Sequence, residues 1–263
     1  MFVTLGDLLL DVIVRLEQPL AEGADAKALT RLGPGGQAAN VAAWVAELGG
    51  SARFVGKRAD DEAGVTARRG LERYGVDVRG PVVEGRTGTV VSLVSEDGSR
   101  TMASDRGVST DLLADELDAS WLEDCELLHL PGYSLLRAPI DGAALRAAEL
   151  APRLSVDLSS WSAIRDFGPA RFRERLAALR PEVVFANEEE ERILGGPLEG
   201  CRWILKLGPL GARFGGEELP ALPAEVLDTT GAGDALAAGY LVGGPELALE
   251  AAARCVAHLG AMP

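Results

Sequence analysis

Short apolar runs alternate along the chain with longer segments in which apolar residues recur at helical spacing. The first run, Phe2 to Leu5, predicts a buried strand. Four later runs of the same kind predict further strands: Leu127 to Leu130, Leu154 to Asp157, Val183 to Phe185 and Trp203 to Leu207. Because helical segments separate these runs, the pattern predicts an α/β fold with a central, mostly parallel sheet flanked by helices on both faces.

Two segments depart from this alternation and predict hairpins. Residues 87–103 contain two β-rich runs around Asp97-Gly98, a pair that favours a two-residue turn. Residues 17–33 are polar, punctuated by Pro and Gly, and follow an alternating strand pattern from Val12 to Leu16. We therefore expect a small additional β-sheet beside the main one.

The overall charge excludes one class of partner. The 263 residues carry a formal net charge of −14, so the average surface repels nucleic acid. An anionic ligand therefore needs a local positive field from backbone amides, helix N-termini, a few cations or a metal ion.

The cysteines and the N-terminal residues indicate a cellular compartment. Cys125, Cys201 and Cys255 are odd in number and include no Cys-x-x-Cys pair, which argues against a disulfide framework and fits a reducing cytoplasm. The N-terminal residues lack the basic segment of a signal peptide, and no stretch reaches 18 uninterrupted apolar residues. We expect a cytoplasmic protein that binds neither nucleic acid nor membranes.

The most specific motif is Asp-Thr-Thr-Gly-Ala-Gly-Asp at positions 228–234, which opens a helix rich in small residues. Gly231 and Gly233 let the backbone approach a ligand, and the N-terminus of the helix offers N–H groups to an anion. Asp234 would lie beside that anion, where its carboxylate can accept the proton of a hydroxyl group that attacks phosphorus. A lone Gly-x-Gly-Asp would indicate only a helix start, but the seven residues together favour a phosphoryl-transfer site.

This motif resembles the C-terminal signature of the ribokinase-like, or PfkB-type, carbohydrate kinase family, and the resemblance covers essentially the whole chain. It implies a ribokinase-like fold and transfer of a phosphoryl group from ATP to a hydroxyl group of a sugar or sugar-derived substrate. It also implies that Asp234 is the catalytic base and that the amides of Gly231, Ala232 and Gly233 bind the transferring phosphoryl group.

A second motif, Gly-Gly-Gln-Ala-Ala-Asn at positions 35–40, resembles the N-terminal signature of the same family. The resemblance implies that Gly35, Gly36 and Asn40 bind hydroxyl groups of the substrate. Asp11 lies in an apolar run, where a carboxylate is costly unless it binds something, and two adjacent sugar hydroxyls suit its two oxygens. The resemblance assigns Asp11 to the substrate as well.

Two further segments resemble the nucleotide side of the family. Asn187 and Glu190 follow a predicted strand and match an Asn-x-x-Glu motif, which implies that Glu190 holds Mg²⁺ through water next to the ATP phosphates. Lys206, Gly208 and Gly211 match a Lys-x-Gly-x-x-Gly turn that lies beside the nucleotide.

The implied cofactors are ATP and Mg²⁺, with K⁺ as an additional activator. Asp228 and Thr230 are implied to lie near the K⁺ site, and Thr230 also borders the nucleotide. The segments from Glu190 to Lys206 and from Gly211 to Asp228 are shorter than is usual in the family, so the resemblance does not fix the nucleotide preference.

The hairpin segments, about 12–33 and 84–107, resemble the lid of this family, a small sheet that closes over the sugar and often pairs with the lid of a second subunit. We therefore expect one ribokinase-like domain over residues 1–263 that forms a homodimer through its lid. Closure would exclude water from the reaction. Arg106, at the end of the second segment, and Asp7, after the first strand, are further candidates for substrate contact.

Other functions remain open on the residues alone. The acceptor can be a nucleoside, and a non-catalytic sugar- or nucleotide-binding protein would keep the same fold. An NAD-dependent dehydrogenase needs Gly-x-Gly-x-x-Gly directly after a strand. The first strand is instead followed by Gly-Asp-Leu-Leu-Leu, and Gly231-Ala232-Gly233 follows Asp-Thr-Thr, so this chain does not match that pattern.

Overall fold

The computed structural model describes residues 1–95 and 100–263, and within them a nine-stranded sheet, a four-stranded sheet and a short strand pair. The strands are β1 (Phe2–Leu5), β2 (Leu9–Leu16), β3 (Ala28–Gly35), β4 (Ala52–Val55), β5 (Arg58–Ala59), β6 (Asp77–Arg79), β7 (Val82–Val83), β8 (Thr87–Val94), β9 (Arg100–Gly107), β10 (Leu127–Pro131), β11 (Leu154–Asp157), β12 (Val183–Asn187), β13 (Arg202–Lys206), β14 (Ala212–Phe214) and β15 (Glu217–Leu219). The helices are α1 (Gln37–Glu47), α2 (Glu62–Glu72), α3 (Gly132–Leu136), α4 (Ile140–Leu150), α5 (Trp161–Phe167), α6 (Pro169–Leu179), α7 (Glu188–Leu194), α8 (Ala232–Gly243) and α9 (Pro245–Val256).

Strand β1 lies inside the large sheet, whose order is β15-β14-β13-β12-β11-β10-β1-β4-β6. The strands from β13 to β6 run parallel, and β14 and β15 add an antiparallel edge. The chain passes from β1 to one side of the sheet through β4 and to the other side through β10. In such sheets, ligands bind outside the carboxyl ends of the strands where the order reverses, here β1 and β10.

Helices cover both faces of the large sheet. On one face, α3 to α7 bury residues such as Ile164 and Phe172 against Val156 and its neighbours. On the other face, α1, α2, α8 and α9 form clusters that include Trp44 and Phe54. Both cores are made of fully buried aliphatic and aromatic side chains, which supply the main driving force for this layered arrangement.

Small residues bring α1 and α8 close together. Buried alanines line both helices in the same core cluster, among them Ala39 and Ala42 on α1 and Ala235 and Ala238 on α8. Because short side chains keep two helices close, polar residues at their N-terminal ends can meet. This packing places the two sequence motifs of the predicted active site side by side.

The four-stranded sheet has the order β3-β2-β8-β9 and contains two antiparallel hairpins. The hairpins join through β2 and β8, which run parallel to each other. One face of β8 is buried, as Val90 and Val94 show, and β2 and β3 contact α2. The sequence-based prediction of a separate small sheet is confirmed, although β2 begins at Leu9, before the expected segment. The predicted turn at Asp97-Gly98 lies outside the described residues.

The ribokinase-like α/β fold expected from the sequence is confirmed. The predicted strands are present as β1, β10, β11, β12 and β13, within one or two residues at each end. The short strands β6 and β7 and the antiparallel edge formed by β14 and β15 were not predicted, because three-residue strands carry too little periodicity. Among the described residues, no helix combines the length and apolarity that a membrane crossing requires.

Candidate active site

Helix α8 begins at the carboxyl edge of the large sheet. Its N-cap, Gly231, has φ 80°, a left-handed conformation that favours glycine. A Cβ atom on Gly231 would lie 2.5 Å from the Cα atom of Ala261, so a side chain has no room there. The sequence needs glycine at this position to turn sharply into the helix.

The first turn of α8 presents backbone N–H groups to the cleft. The amides of Gly231, Ala232 and Gly233 are the first of this turn, and the Ala232 amide makes a 3.4 Å contact with the carbonyl oxygen of Thr229. The three amides predicted to bind a phosphoryl group thus lie together at the positive end of a helix dipole. This is a favourable position for an anion.

Asp234 lies in the same helical turn. Asn40 Nδ2 on α1 donates a 2.7 Å hydrogen bond to Asp234 Oδ2, and the side chain of Gln37 bonds to the same carboxyl group. Burial raises the pKa of Asp234 to about 7, and the negative charge of Asp157 adds to this, while the two hydrogen bonds and Lys206 act in the opposite direction. A carboxyl group with a pKa near neutrality is well suited to accept a proton.

Asn40 holds the predicted base in the structure. Its Nδ2 atom is used by Asp234, whereas its Oδ1 atom is buried and has no hydrogen-bond partner among the described residues. The sequence motif assigned Asn40 to the substrate, and that assignment stays a prediction. The unpartnered oxygen leaves one acceptor for a ligand group.

A buried ion pair that the sequence did not predict lies beside Asp234. Lys206 Nζ at the end of β13 donates to Asp157 Oδ2 at the end of β11 over 2.6 Å, and the Asp157 side chain is 1% exposed. Lys206 Nζ is also 3.4 Å from where a Cβ atom of Gly233 would stand, so its charge adjoins the amides of α8. Burial alone lowers the pKa of Lys206, but the nearby carboxylates of Asp157 and Glu190 raise it, which keeps it a cation.

Asn187 and Glu190 form a capping box at the start of α7. The Asn187 side chain accepts a hydrogen bond from the Glu190 amide, and Glu190 Oε2 accepts one from the Asn187 amide, each over 2.8 Å. Glu190 is 2% exposed, and burial raises the pKa of its carboxyl group. The motif therefore has a structural role in the helix, and the Mg²⁺ role of Glu190 stays a prediction.

The Asp11 side chain on β2 lies against Gly35 on β3, whose partner in the strand register is Leu9. A Cβ atom on Gly35 would lie 2.1 Å from the Asp11 carboxyl group, so glycine is required for this close approach. Burial raises the pKa of Asp11 to about 7, the charges of Asp7 and Asp234 raise it further, and Arg106 opposes them. The predicted substrate residue thus belongs to the same charged cluster as the predicted base.

A cavity of about 490 Å³ opens at the carboxyl ends of β1 and β10. Asp7 and Arg106 line it, form an ion pair, and are joined by Tyr133, whose ring lies 4.9 Å from the guanidinium carbon of Arg106. Asp7 is 3% exposed, and its Oδ1 atom has no hydrogen-bond partner among the described residues. Asp11 instead lines a neighbouring cavity of about 310 Å³.

The remaining predicted residues lie around this centre. Gly36 is the N-cap of α1. Gly208 and Gly211 lie in the turn between β13 and β14, next to Lys206. Asp228 is buried, and its carboxylate accepts hydrogen bonds from the amide and hydroxyl of Thr230 and from the Gly260 amide. The carboxylate is therefore satisfied by the protein itself, and a K⁺ role stays a prediction.

Asp157 and Gln37 are the functional candidates that sequence reasoning missed. Asp157 ends an apolar parallel strand, and an acidic residue at that edge of a sheet was a usable signal. Gln37 lies between two predicted substrate residues, and its side chain accepts a hydrogen bond from Ser159 in addition to its contact with Asp234. The contacts of Asp157 with Lys206 and of Gln37 with Ser159 and Asp234 join residues that are far apart in the sequence.

The sheet topology, the separate small sheet and the helix start beside a carboxylate define the class of small-molecule kinases with the ribokinase-like fold. Solved structures similar to this chain include a probable sugar kinase of Rhizobium etli CFN 42, with a TM-score of 0.87, 25% identity and coverage of 100% of this chain and 94% of that one. The adenosine kinase of Sinorhizobium meliloti has a TM-score of 0.86 at 24% identity, with coverage of 100% and 95%.

Sequence comparison gives the family. The model of the pfkB family carbohydrate kinases matches residues 1–262, and the chain belongs to this family. It is 34% identical to an ATP-dependent ribose-1-phosphate kinase of Halopiger xanaduensis, over 93% of this chain and 86% of that protein. It is 31% identical to fructokinase-1 of Zea mays, over 91% and 81%. The chain is therefore a carbohydrate or nucleoside kinase, as the sequence predicted.

Proposed function

We propose that the protein transfers the γ-phosphoryl group of ATP to a hydroxyl group of a sugar or sugar-derived acceptor, with Asp234 as the catalytic base. The observation that carries this proposal is the position of Asp234 in the first turn of α8, beside the backbone amides of Gly231, Ala232 and Gly233. Asn40 holds the carboxyl group in place, and its pKa of about 7 lets it accept a proton at neutral pH.

In the proposed reaction, the acceptor hydroxyl attacks the γ-phosphorus and its proton passes to Asp234. The new O–P bond forms as the bond between the γ-phosphorus and the bridging oxygen breaks, and ADP leaves with the electron pair. The amides of Gly231, Ala232 and Gly233 stabilise the charge on the transferring group, and Lys206 adds a positive charge next to them. A residue that positions these groups in the transition state contributes more to the rate than a residue that only binds ATP.

We also propose that Mg²⁺ accompanies the nucleotide and that Glu190 would hold it through water. The described residues contain no group of three or more acidic, His or Cys residues that could hold a metal by itself. Such a site fits an ion that keeps most of its waters and is held chiefly by phosphates. When bound, Mg²⁺ would neutralise charge on the phosphates, while Glu190 orders water and Asn187 keeps Glu190 in place.

The acceptor can be a neutral sugar, a sugar phosphate or a nucleoside. The similar proteins named above include a fructokinase, a ribose-1-phosphate kinase and an adenosine kinase, and the fold alone does not choose among these acceptor types. The experiment is an ADP-release assay with ATP and Mg²⁺ in which sugars, sugar phosphates, sugar acids and nucleosides are tested one by one. We expect acceptor-dependent ADP release, with a phosphorylated product seen by ³¹P NMR. ATP and acceptor binding without any acceptor-dependent release would instead indicate a non-catalytic binding protein.

Three finer expectations belong to this proposal. K⁺ is expected to raise turnover relative to Na⁺ at equal ionic strength if a cation binds near Asp228. A homodimer is expected through the four-stranded sheet, whose outer strands expose Leu29, Leu32 and Met102, and light scattering after gel filtration would detect it. The three cysteines are free thiols, in keeping with a reducing cytoplasm.

A further inference from the structure

Two exposed arginines, Arg137 and Arg171, line the cavity that opens at the carboxyl ends of β1 and β10. The charged residues around this cavity are Asp7, Arg106, Arg137, Asp166 and Arg171. Asp7 pairs with Arg106, and Asp166 pairs with Arg165 outside the cavity. Arg137 and Arg171 form no ion pair with any residue in the part of the chain that the structure describes.

Arg137 and Arg171 differ from other arginines that form no ion pair among the described residues, such as Arg69, because they line the same cavity as the buried Asp7 carboxyl group. Arg171 lies on the ring of Phe167, with its guanidinium carbon 4.3 Å from the ring centroid, and Phe167 lines the same cavity. A stacked guanidinium has fewer rotamers to lose, and its N–H groups stay available to a ligand.

The cavity belongs to the acceptor side of the active site. It lies at the carboxyl ends of β1 and β10, and none of the residues predicted to contact ATP lines it. Asp7, with its unpartnered Oδ1 atom, provides an acceptor for a sugar hydroxyl at one side of the cavity, next to Arg106. Arg137 also lines an adjoining depression of about 240 Å³, together with Arg106 and the ion pair between Arg86 and Asp105.

We propose that the acceptor is a phosphorylated sugar, whose phosphate group binds to Arg137 and Arg171 while its hydroxyl groups face Asp7 and Asp234. Two unpaired guanidinium charges match a phosphate dianion, whereas a carboxylate would need only one. A neutral sugar or a nucleoside would leave both arginines unneutralised. The inference rests on the proposed kinase function and assigns the substrate class and two specificity residues within it.

The test compares matched acceptors with and without phosphate in the ADP-release assay, using ribose with ribose 1-phosphate and ribose 5-phosphate, fructose with fructose 6-phosphate, and gluconate as a sugar acid. We expect kcat/KM for one sugar phosphate to exceed that for its unphosphorylated partner by at least about a hundredfold. Equal use of the neutral sugar, or a preference for the sugar acid, would overturn the inference.

The variants Arg137→Gln and Arg171→Gln test the assigned residues. Each is expected to raise KM for the sugar phosphate by about tenfold. Arg69→Gln is the matched control, because Arg69 is exposed on α2, has no ion pair among the described residues and does not line this cavity. Unchanged KM values in both variants, with melting temperatures like those of the parent, would refute the assignment.

A binding measurement separates this inference from the kinase proposal. If no acceptor releases ADP, calorimetric titration of the protein with the same sugar phosphates still reports on the site. Binding that Arg137→Gln and Arg171→Gln weaken would then support the phosphate site although the kinase proposal has failed. Absence of binding in the parent protein would reject the phosphate site as well.

Discussion

The two sides of the proposed active site are built in different ways. On the phosphoryl side, the first turn of α8 and the side chains at the ends of β11 and β13 lie on elements whose neighbouring residues fill the buried cores. On the acceptor side, Asp11 and Arg106 come from the small sheet, and the exposed Arg137 and Arg171 come from the end of α3 and from α6. The comparison indicates that the core fixes the reaction, whereas the surface elements select the substrate.

The phosphoryl side should lose stability when its buried ion pair is broken by a substitution. Lys206→Met would leave Asp157, 1% exposed, without its partner, and we expect a loss of about 3–5 kcal/mol in the free energy of unfolding. Urea denaturation measures this value. The double variant Asp157→Asn, Lys206→Met removes both charges and should recover most of the loss. A single variant as stable as the parent would show that the ion pair is not buried in solution.

The sequence predicted the phosphoryl side better than the acceptor side. The glycines before Asp234 mark a sharp turn into a helix that few backbone conformations allow. The motif alone therefore predicts the local geometry. The Asp157–Lys206 pair joins residues 49 positions apart on strands separated by β12, and no local pattern encodes it. Likewise, both hairpins of the small sheet were predictable, but their parallel pairing through β2 and β8 depends on the whole fold.

The hydrogen bond between Asn40 and Asp234 should influence the pH dependence of the reaction. Because Asp234 must be ionised to accept a proton and its pKa is raised to about 7, kcat/KM should fall about tenfold per pH unit below that value and level off above it. The Asn40 hydrogen bond favours the ionised form, so Asn40→Ala should move this acid limb to higher pH.

The pH–rate profile of Asn40→Ala also separates positioning from general damage. If Asn40 acts on the pKa of Asp234, activity should return towards that of the parent at high pH. A uniform loss of activity at all pH values would instead show that Asn40 has only a structural or substrate-binding role.

The smallest expected effect concerns Glu190. Glu190→Gln keeps a side chain that can complete the capping box of α7 but removes its charge, so the melting temperature should change little. We expect the Mg²⁺ concentration for half-maximal activity to rise about tenfold. A Mg²⁺ titration at fixed ATP measures this concentration. An unchanged midpoint would show that Glu190 acts only in the capping box of α7.

The most direct test of the whole account is the transfer rate of Asp234→Asn in a single turnover, measured with saturating ATP and acceptor, alongside its ATP affinity. We expect the rate to fall by about 10²- to 10⁴-fold while ATP affinity stays close to that of the parent. Asp115→Asn, which changes an exposed aspartate remote from the cleft, is the control and should behave like the parent. A near-normal transfer rate in Asp234→Asn would contradict the assignment of the base.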